Sequence, residues 1–153
     1  MIRYLDNLVG YDGLFSTEAI MRNNETIVRV LMEACRLLEG KGWNKYTMAR
    51  NANGQHCGPD SQDAACYCLS GALVKSWRTV DPQNEEFYFP YFESKIAQVL
   101  KAKYDYPYTY TRWNDNVATC REDVVKLIQD VITSVLTDPE VSDNSFIPHS
   151  VAA

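Results

Sequence analysis

Residues 61–77 read S-Q-D-A-A-C-Y-C-L-S-G-A-L-V-K-S-W, and the rest of the chain is organised around them. The stretch is apolar or small on nearly all sides and is long enough for a helix. Because a helix without a wide polar face belongs inside a domain, we predict a buried central helix here. Its small residues would let neighbouring elements pack closely; they are Ala64, Ala65, Ser70, Gly71 and Ala72.

Length and composition indicate an ordinary globular protein. The chain has 153 residues, of which 46% are hydrophobic and 23% charged, which suits one domain with its own core. A formal net charge of −5 argues against a general nucleic-acid binder, which carries a basic surface. No run of about 18 apolar residues occurs, so we expect no membrane span. The cysteines number five, and the first residues do not resemble a signal peptide, so we expect reduced thiols and a cytoplasmic location.

Apolar residues at helical spacing predict three further main helices. The first covers residues 25–39, the second follows Pro90, and the third covers residues 120–136 behind a capping box from Thr119 to Glu122. The predicted fold class is therefore mainly α: a compact single domain of about four main helices around a central buried helix. Short extended segments leave room for a small two-stranded β-ribbon.

The chain divides into three predicted parts. Residues 24–137 form the helical core domain, and residues 138–153 form a mobile tail with weak periodicity. Residues 1–23 form an N-terminal arm, which could pack on the core or on a second copy of the chain and so support a homo-oligomer.

Four tyrosines alternate between residues 104 and 112, and they would share one side of an extended segment. Pro107 argues against a central strand, so we predict an edge strand or an irregular extended loop. The tyrosines could be a stacking surface for bases or sugars, or they could cover one side of the domain. The second interpretation is favoured because no basic groove accompanies them.

A zinc site is the sharpest chemical hypothesis in the sequence. His56, Cys57, Cys66 and Cys68 supply a chemically valid ligand set within a short stretch. On a helix, however, residues two apart point about 200° away from each other, so Cys66 and Cys68 could not face one ion. The set requires Cys66 to precede the helix. Apart from this possible zinc, we expect no cofactor.

A nucleophilic cysteine is the second hypothesis. The segment C-L-S-G-A, starting at Cys68, is somewhat similar to the cysteine helix of papain-like and cell-wall peptidase folds. Such a nucleophile needs a general base, usually His, and the only histidines are His56 and His149. The downstream region offers Asn114 and Asp115 instead, so the catalytic set is incomplete.

Three short motifs carry a family resemblance. They are, in chain order, G-W at residues 42–43, C-L-S-G-A-L at residues 68–73 and W-N-D at residues 113–115. The segment V-V-K-L-I follows in the last helix. This chain resembles, over roughly residues 25–136, a family of small uncharacterised proteins found in bacteria and their tailed phages. The resemblance implies a bacterial or phage-infected cytoplasm as the setting, and it implies no known activity.

The resemblance also implies roles for individual residues. Gly71 and Ala72 would form a close helix contact, with the Trp113 ring buried against it. Asn114 and Asp115 would brace a loop through side-chain hydrogen bonds to backbone N–H groups. The alternative is that both residues converge with Cys68 in a pocket beside the central helix.

Two functions remain open at this point. The leading hypothesis is a non-enzymatic protein that binds a protein partner or a small ligand, encoded by a phage and modulating a host component. It is motivated by the incomplete catalytic set and the acidic composition. The alternative is a small enzyme or zinc-binding module that uses the cysteine-bearing helix.

Overall fold

The computed structural model describes residues 17–138, with side chains from residue 23 onward. Within this part the fold is mainly α with a small antiparallel sheet, which confirms the predicted fold class. None of the described helices is both long enough and apolar enough to cross a bilayer. The predicted mobile tail from residue 139 and the predicted arm up to residue 16 lie outside the described residues. His149 lies outside them as well.

Between residues 17 and 138, five α-helices and three short strands follow each other in a simple order. They are α1 (Thr17–Gly40), β1 (Ala49–Asn51), β2 (His56–Cys57), β3 (Ala64–Tyr67), α2 (Leu69–Val80), α3 (Glu85–Tyr104), α4 (Tyr110–Asn116) and α5 (Arg121–Thr137). A single 3-10 turn, Pro82–Asn84, connects α2 to α3. The sheet has the strand order β2-β1-β3, so it has one strand more than the predicted ribbon.

Helix α1 supplies one wall of the core. Its buried residues recur at the three-and-four spacing of a single face: Ile27, Val30, Leu31, Ala34, Leu37 and Leu38. This face packs against α2 on one side and α5 on the other. The helix begins at Thr17 and not near residue 25, so the predicted start is eight residues too late.

The predicted central helix is wrong in its first half. Residues 64–67 form strand β3, and α2 starts only at Leu69. Small and apolar residues suit a strand as well as a helix, and here strand β1 provides a pairing partner for β3. The backbone of Tyr67 is held on its other edge, because its N–H donates to Gly42 O and its carbonyl accepts from Asn44 N.

Helix α2 is the middle of the domain, as predicted, but in shortened form. It packs against α1, α3, α4 and β3. Gly71 is required at its first turn, because a Cβ atom there would lie 1.9 Å from the Met48 carbonyl oxygen. The close contact expected at Gly71 therefore exists, and the group that approaches it is the Met48 backbone. Trp113 is buried and meets Tyr104 edge to face.

The second half of the chain differs from expectation at three helix starts. Helix α3 begins at Glu85, so Pro90 lies inside it and not in its first turn. The W-N-D motif lies on helix α4, which Thr109 caps by accepting from Arg112 N, and not in a loop. The predicted extended run of tyrosines is interrupted for the same reason, since Tyr110 is a buried residue of that helix. At the start of α5, Asp123 and not Glu122 accepts hydrogen bonds from Thr119.

Candidate functional site

Asn114 joins three distant parts of the chain beside the N-terminus of α2. Its side chain is only 1% exposed. Oδ1 accepts from Trp43 Nε1 at 2.7 Å and from Leu69 N at 3.0 Å. Nδ2 donates to Asn44 O at 3.3 Å and to Asp115 Oδ1 at 2.9 Å. Both lone pairs and both amide protons are thereby used, so this side chain is fully satisfied inside the protein.

Asp115 fixes an unusual backbone conformation in a neighbouring loop. Its Oδ1 accepts from Tyr46 N at 2.9 Å, and the Tyr46 hydroxyl donates to the Asp115 carbonyl oxygen at 3.3 Å. Tyr46 has a φ of 74°, in the left-handed region. A residue other than glycine loses about 1–2 kcal/mol in that region, and a bulky one is a real outlier. The bond from Asp115 therefore holds Tyr46 in a conformation that its own backbone disfavours.

The loop of residues 43–48, called here the 43–48 loop, is held from several sides. Asn44 Nδ2 donates to Thr47 O at 2.7 Å inside the loop. Arg50 Nη2 donates to Lys45 O at 3.4 Å from strand β1. The Lys45 ammonium lies 5.6 Å from the centroid of the Trp43 ring, within cation–π range. The loop is thus a fixed structure, and at its outer edge the Tyr46 side chain is 70% exposed.

Cys68 serves as the N-cap of α2. Its sulfur accepts from Gly71 N at 3.3 Å, and the residue is only 5% exposed. Burial raises the pKa of the Cys68 thiol, and the negative charge of Asp115 adds to this, although the Gly71 N–H works in the opposite direction. A reactive cysteine needs a lowered pKa and access to solvent, and this thiol has neither. These features suit a capping residue rather than a nucleophile.

The order of the strands separates the predicted zinc ligands. His56 on β2 and Cys66 on β3 both pair with Arg50, so strand β1 and a cationic side chain lie between them. Two strand spacings place their backbones about 10 Å apart. Cys57 points to the opposite face of the sheet, and Cys68 caps α2. Within residues 17–138 no group of three or more His, Cys, Asp or Glu side chains is arranged to hold a metal ion.

Cys68, Asn114 and Asp115 lie near one another, whereas the pocket of the alternative interpretation stays a prediction. They meet at the N-terminus of α2, where the hydrogen bonds of Asn114 and Cys68 go to the backbone N–H groups of Leu69 and Gly71. The expected bracing concerned the W-N-D segment as a loop, whereas this segment is part of α4. Asn114 and Asp115 instead hold the start of α2 and the 43–48 loop.

A cavity of about 360 Å³ lies elsewhere, between the end of α1 and the outer face of α5. Its lining includes Glu39, Arg121, Lys126 and Asp130. Burial alone would raise the pKa of Asp130, but hydrogen bonds from Tyr104 and Lys126 outweigh it and the pKa is lowered. Lys126 and Asp130 are therefore paired with each other, and the cavity contains none of the residues of the Asn114 site.

Tyr46 was missed by sequence reasoning. A left-handed backbone at a tyrosine has no signature in composition or periodicity, because that conformation is usually signalled by Gly, Asn or Asp. The one hint was the G-W motif before it, since Trp43 turns out to donate its indole N–H to Asn114.

Comparison with known proteins gives a family and no activity. A family model described as a family of unknown function (DUF6197) matches residues 22–134. This range contains every residue of the Asn114 site and the whole 43–48 loop. No curated protein matches the chain, and no solved structure matches it.

Proposed function

We propose, from the geometry of the site, that this chain is a non-enzymatic protein which binds a partner protein through the 43–48 loop. The chain belongs to the matching family of unknown function, and this membership supplies no activity. The observation that carries the proposal is Tyr46. It is a large aromatic side chain held outward at 70% exposure on a left-handed backbone.

The free-energy cost of holding Tyr46 in the left-handed region supports a role for this residue in function and not in folding. Holding Tyr46 in the left-handed region costs about 1–2 kcal/mol, and its exposed ring returns little of this through burial. The Asp115 carboxylate accepts a hydrogen bond from the Tyr46 N–H and keeps it there. Residues in strained conformations persist where the surroundings fix them and are concentrated at functional sites. Tyr is also among the residues enriched at the energetic centres of protein interfaces.

The pre-formed state of the loop favours binding in a second way. A loop that is already fixed by Asn114, Asp115 and Arg50 loses little further conformational freedom when a partner docks. The rigid aromatic side chain then supplies contact area at a low entropic cost. This is the behaviour of a recognition loop mounted on a stable helical scaffold.

The cellular setting is part of the same proposal. The resemblance in the three short motifs supports an origin in bacteria or their tailed phages, a cytoplasmic location, and a host component as the partner. Under this proposal the protein modulates its partner by occupying a surface, and no reaction takes place at the Asn114 site.

The proposal is tested by affinity capture from a bacterial lysate with two tyrosine variants. Tyr46→Ala removes the displayed ring, and Tyr108→Ala removes another exposed ring, 52% exposed, as a matched control. We expect the wild-type chain and Tyr108→Ala to retain the same defined partner, and Tyr46→Ala to lose it. Equal recovery of that partner by all three proteins, or recovery by none, would overturn the proposal.

A further inference from the structure

Positive charge is concentrated in one segment of an otherwise acidic chain. No Asp or Glu occurs from residue 40 to residue 59, whereas Lys41, Lys45 and Arg50 all fall within these twenty positions. The segment carries a formal charge of +3. Because the whole chain carries −5, the remaining residues together carry −8.

The fold gathers this segment into one surface. Arg50 joins its two halves, because Nη1 donates to Gly54 O at 3.0 Å in the β1–β2 turn and Nη2 donates to Lys45 O in the 43–48 loop. Tyr46 and Met48 are exposed on the same loop, Met48 at 40%. Lys41 lies at the start of the segment, where its Nζ donates to Ala64 O at 3.4 Å, and the exposed Tyr46 and Met48 stand between Lys45 and Arg50 in the sequence.

We propose that this surface, residues 41–56, binds an acidic segment of the partner protein, with Tyr46 and Met48 contacting apolar side chains within that segment. The inference rests on the proposed function and adds the chemistry of the partner. Aromatic, Met and Arg side chains are enriched at protein interfaces, and complementary charge speeds and orients association.

Acidic groups border the surface without cancelling it. Asp115 on α4 faces Tyr46, but its Oδ1 is already engaged by Tyr46 N and by Asn114 Nδ2. Asp63 is exposed just before β3, beside the residue that pairs with Asn51. Asp115 and Asp63 carry one negative charge each, so the three basic side chains of the segment exceed them by one charge.

A short acidic protein segment fits this surface better than a nucleic acid does. A nucleic acid presents phosphates along its whole length, and the charge of −8 on the rest of the chain would repel those beyond the basic segment. A short carboxylate-rich peptide needs to contact only the local +3 region. The charge distribution therefore favours a protein ligand.

The test is a titration of the ¹⁵N-labelled full chain, followed by NMR, with two probes. A short poly-L-glutamate peptide that ends in an aromatic residue represents the acidic segment, and single-stranded poly-dT represents nucleic acid. We expect the peptide to shift the amide signals of residues 41–56, with affinity that falls as salt rises. Lys41→Glu with Lys45→Glu should weaken peptide binding about tenfold, since two attractive charges become repulsive. Lys101→Glu, an exposed lysine of α3, is the control and should leave binding unchanged.

The outcomes separate this inference from the proposed function. If the peptide shifts no signal in residues 41–56 while partner capture still depends on Tyr46, the acidic ligand is wrong and the interaction function stands. If poly-dT binds the same residues more tightly at physiological salt, the ligand is a nucleic acid and the inference is overturned. An equal loss of peptide binding in the Lys101 control would also overturn it, because the effect would then be one of net charge alone.

Discussion

Truncation of Asn114 is the perturbation whose cost follows most directly from the structure. Asn114→Ala removes the acceptor of the buried Leu69 N–H and of the half-buried Trp43 indole N–H. A buried donor left unpaired costs about 1–3 kcal/mol, and the indole adds about 1 kcal/mol because water reaches it in part. We therefore expect the free energy of unfolding to fall by about 2–4 kcal/mol, a large share of the roughly 5–15 kcal/mol typical of a domain.

Urea denaturation of the variant measures this loss, and hydrogen exchange locates it. We expect the Leu69 amide and the Trp43 indole proton to lose protection more than the amides in the middle of α5. Asn116→Ala is the matched control, since it makes the same change two positions along α4 at an exposed residue. If Asn114→Ala costs no more than Asn116→Ala, the reasoning about the Asn114 hydrogen bonds is refuted.

Asn114→Asp isolates the contact with Asp115. It keeps an acceptor for Trp43 and Leu69 but turns Nδ2 into an oxygen that faces the Asp115 carboxylate and the Asn44 carbonyl. Burial and the like charge raise the pKa of the new carboxyl in the folded state above its value of about 3.9 in the unfolded chain. The deficit in stability should therefore be smallest below that unfolded value and grow as the pH rises through the folded one. A deficit that does not change with pH would contradict the Asn114–Asp115 contact.

Further predictions concern three positions near the same site. Gly71→Ala places a Cβ atom against the Met48 backbone and should destabilise the chain by about 3 kcal/mol or prevent folding, whereas Gly58→Ala, where no atom lies within 4 Å, should be neutral in thermal denaturation. Tyr46→Gly relieves the left-handed strain, so its urea midpoint should stay within about 1 kcal/mol of wild type or rise, while partner capture is lost. Because burial raises the pKa of the Cys68 thiol, alkylation at neutral pH should be slower at Cys68 than for free cysteine; faster reaction would restore the nucleophile hypothesis.

Periodicity identified the long helices because their buried faces repeat within each element. The apolar spacing of α1 and α5 is a local property, so tertiary contacts did not alter the helices that it predicts. Residues 61–77 behaved differently, because Ala, Cys and Tyr at 64–67 fit a strand once β1 lies alongside. A pairing partner in another part of the chain decided between two structures that the local sequence allowed equally.

The site was predictable in its members but not in its contacts. The W-N-D motif predicted that Asn114 and Asp115 brace a loop of their own, whereas they lie on α4 and hold the 43–48 loop and the start of α2. The partners are Trp43, Tyr46 and Leu69, which lie 45 to 71 positions away along the chain. Spacing carries no information on such distances, and the left-handed backbone of Tyr46 follows only from the contact with Asp115.

The long-range bonds of Asn114 also set an order of events during folding. The 43–48 loop receives its final shape only after α4 has closed a chain segment of about 70 residues around α2, and such closures come late because their entropic cost precedes their reward. A nascent or truncated chain that lacks α4 therefore has no finished 43–48 loop. The displayed Tyr46 becomes a mark of completed folding, and partner binding would then select for chains that are fully assembled.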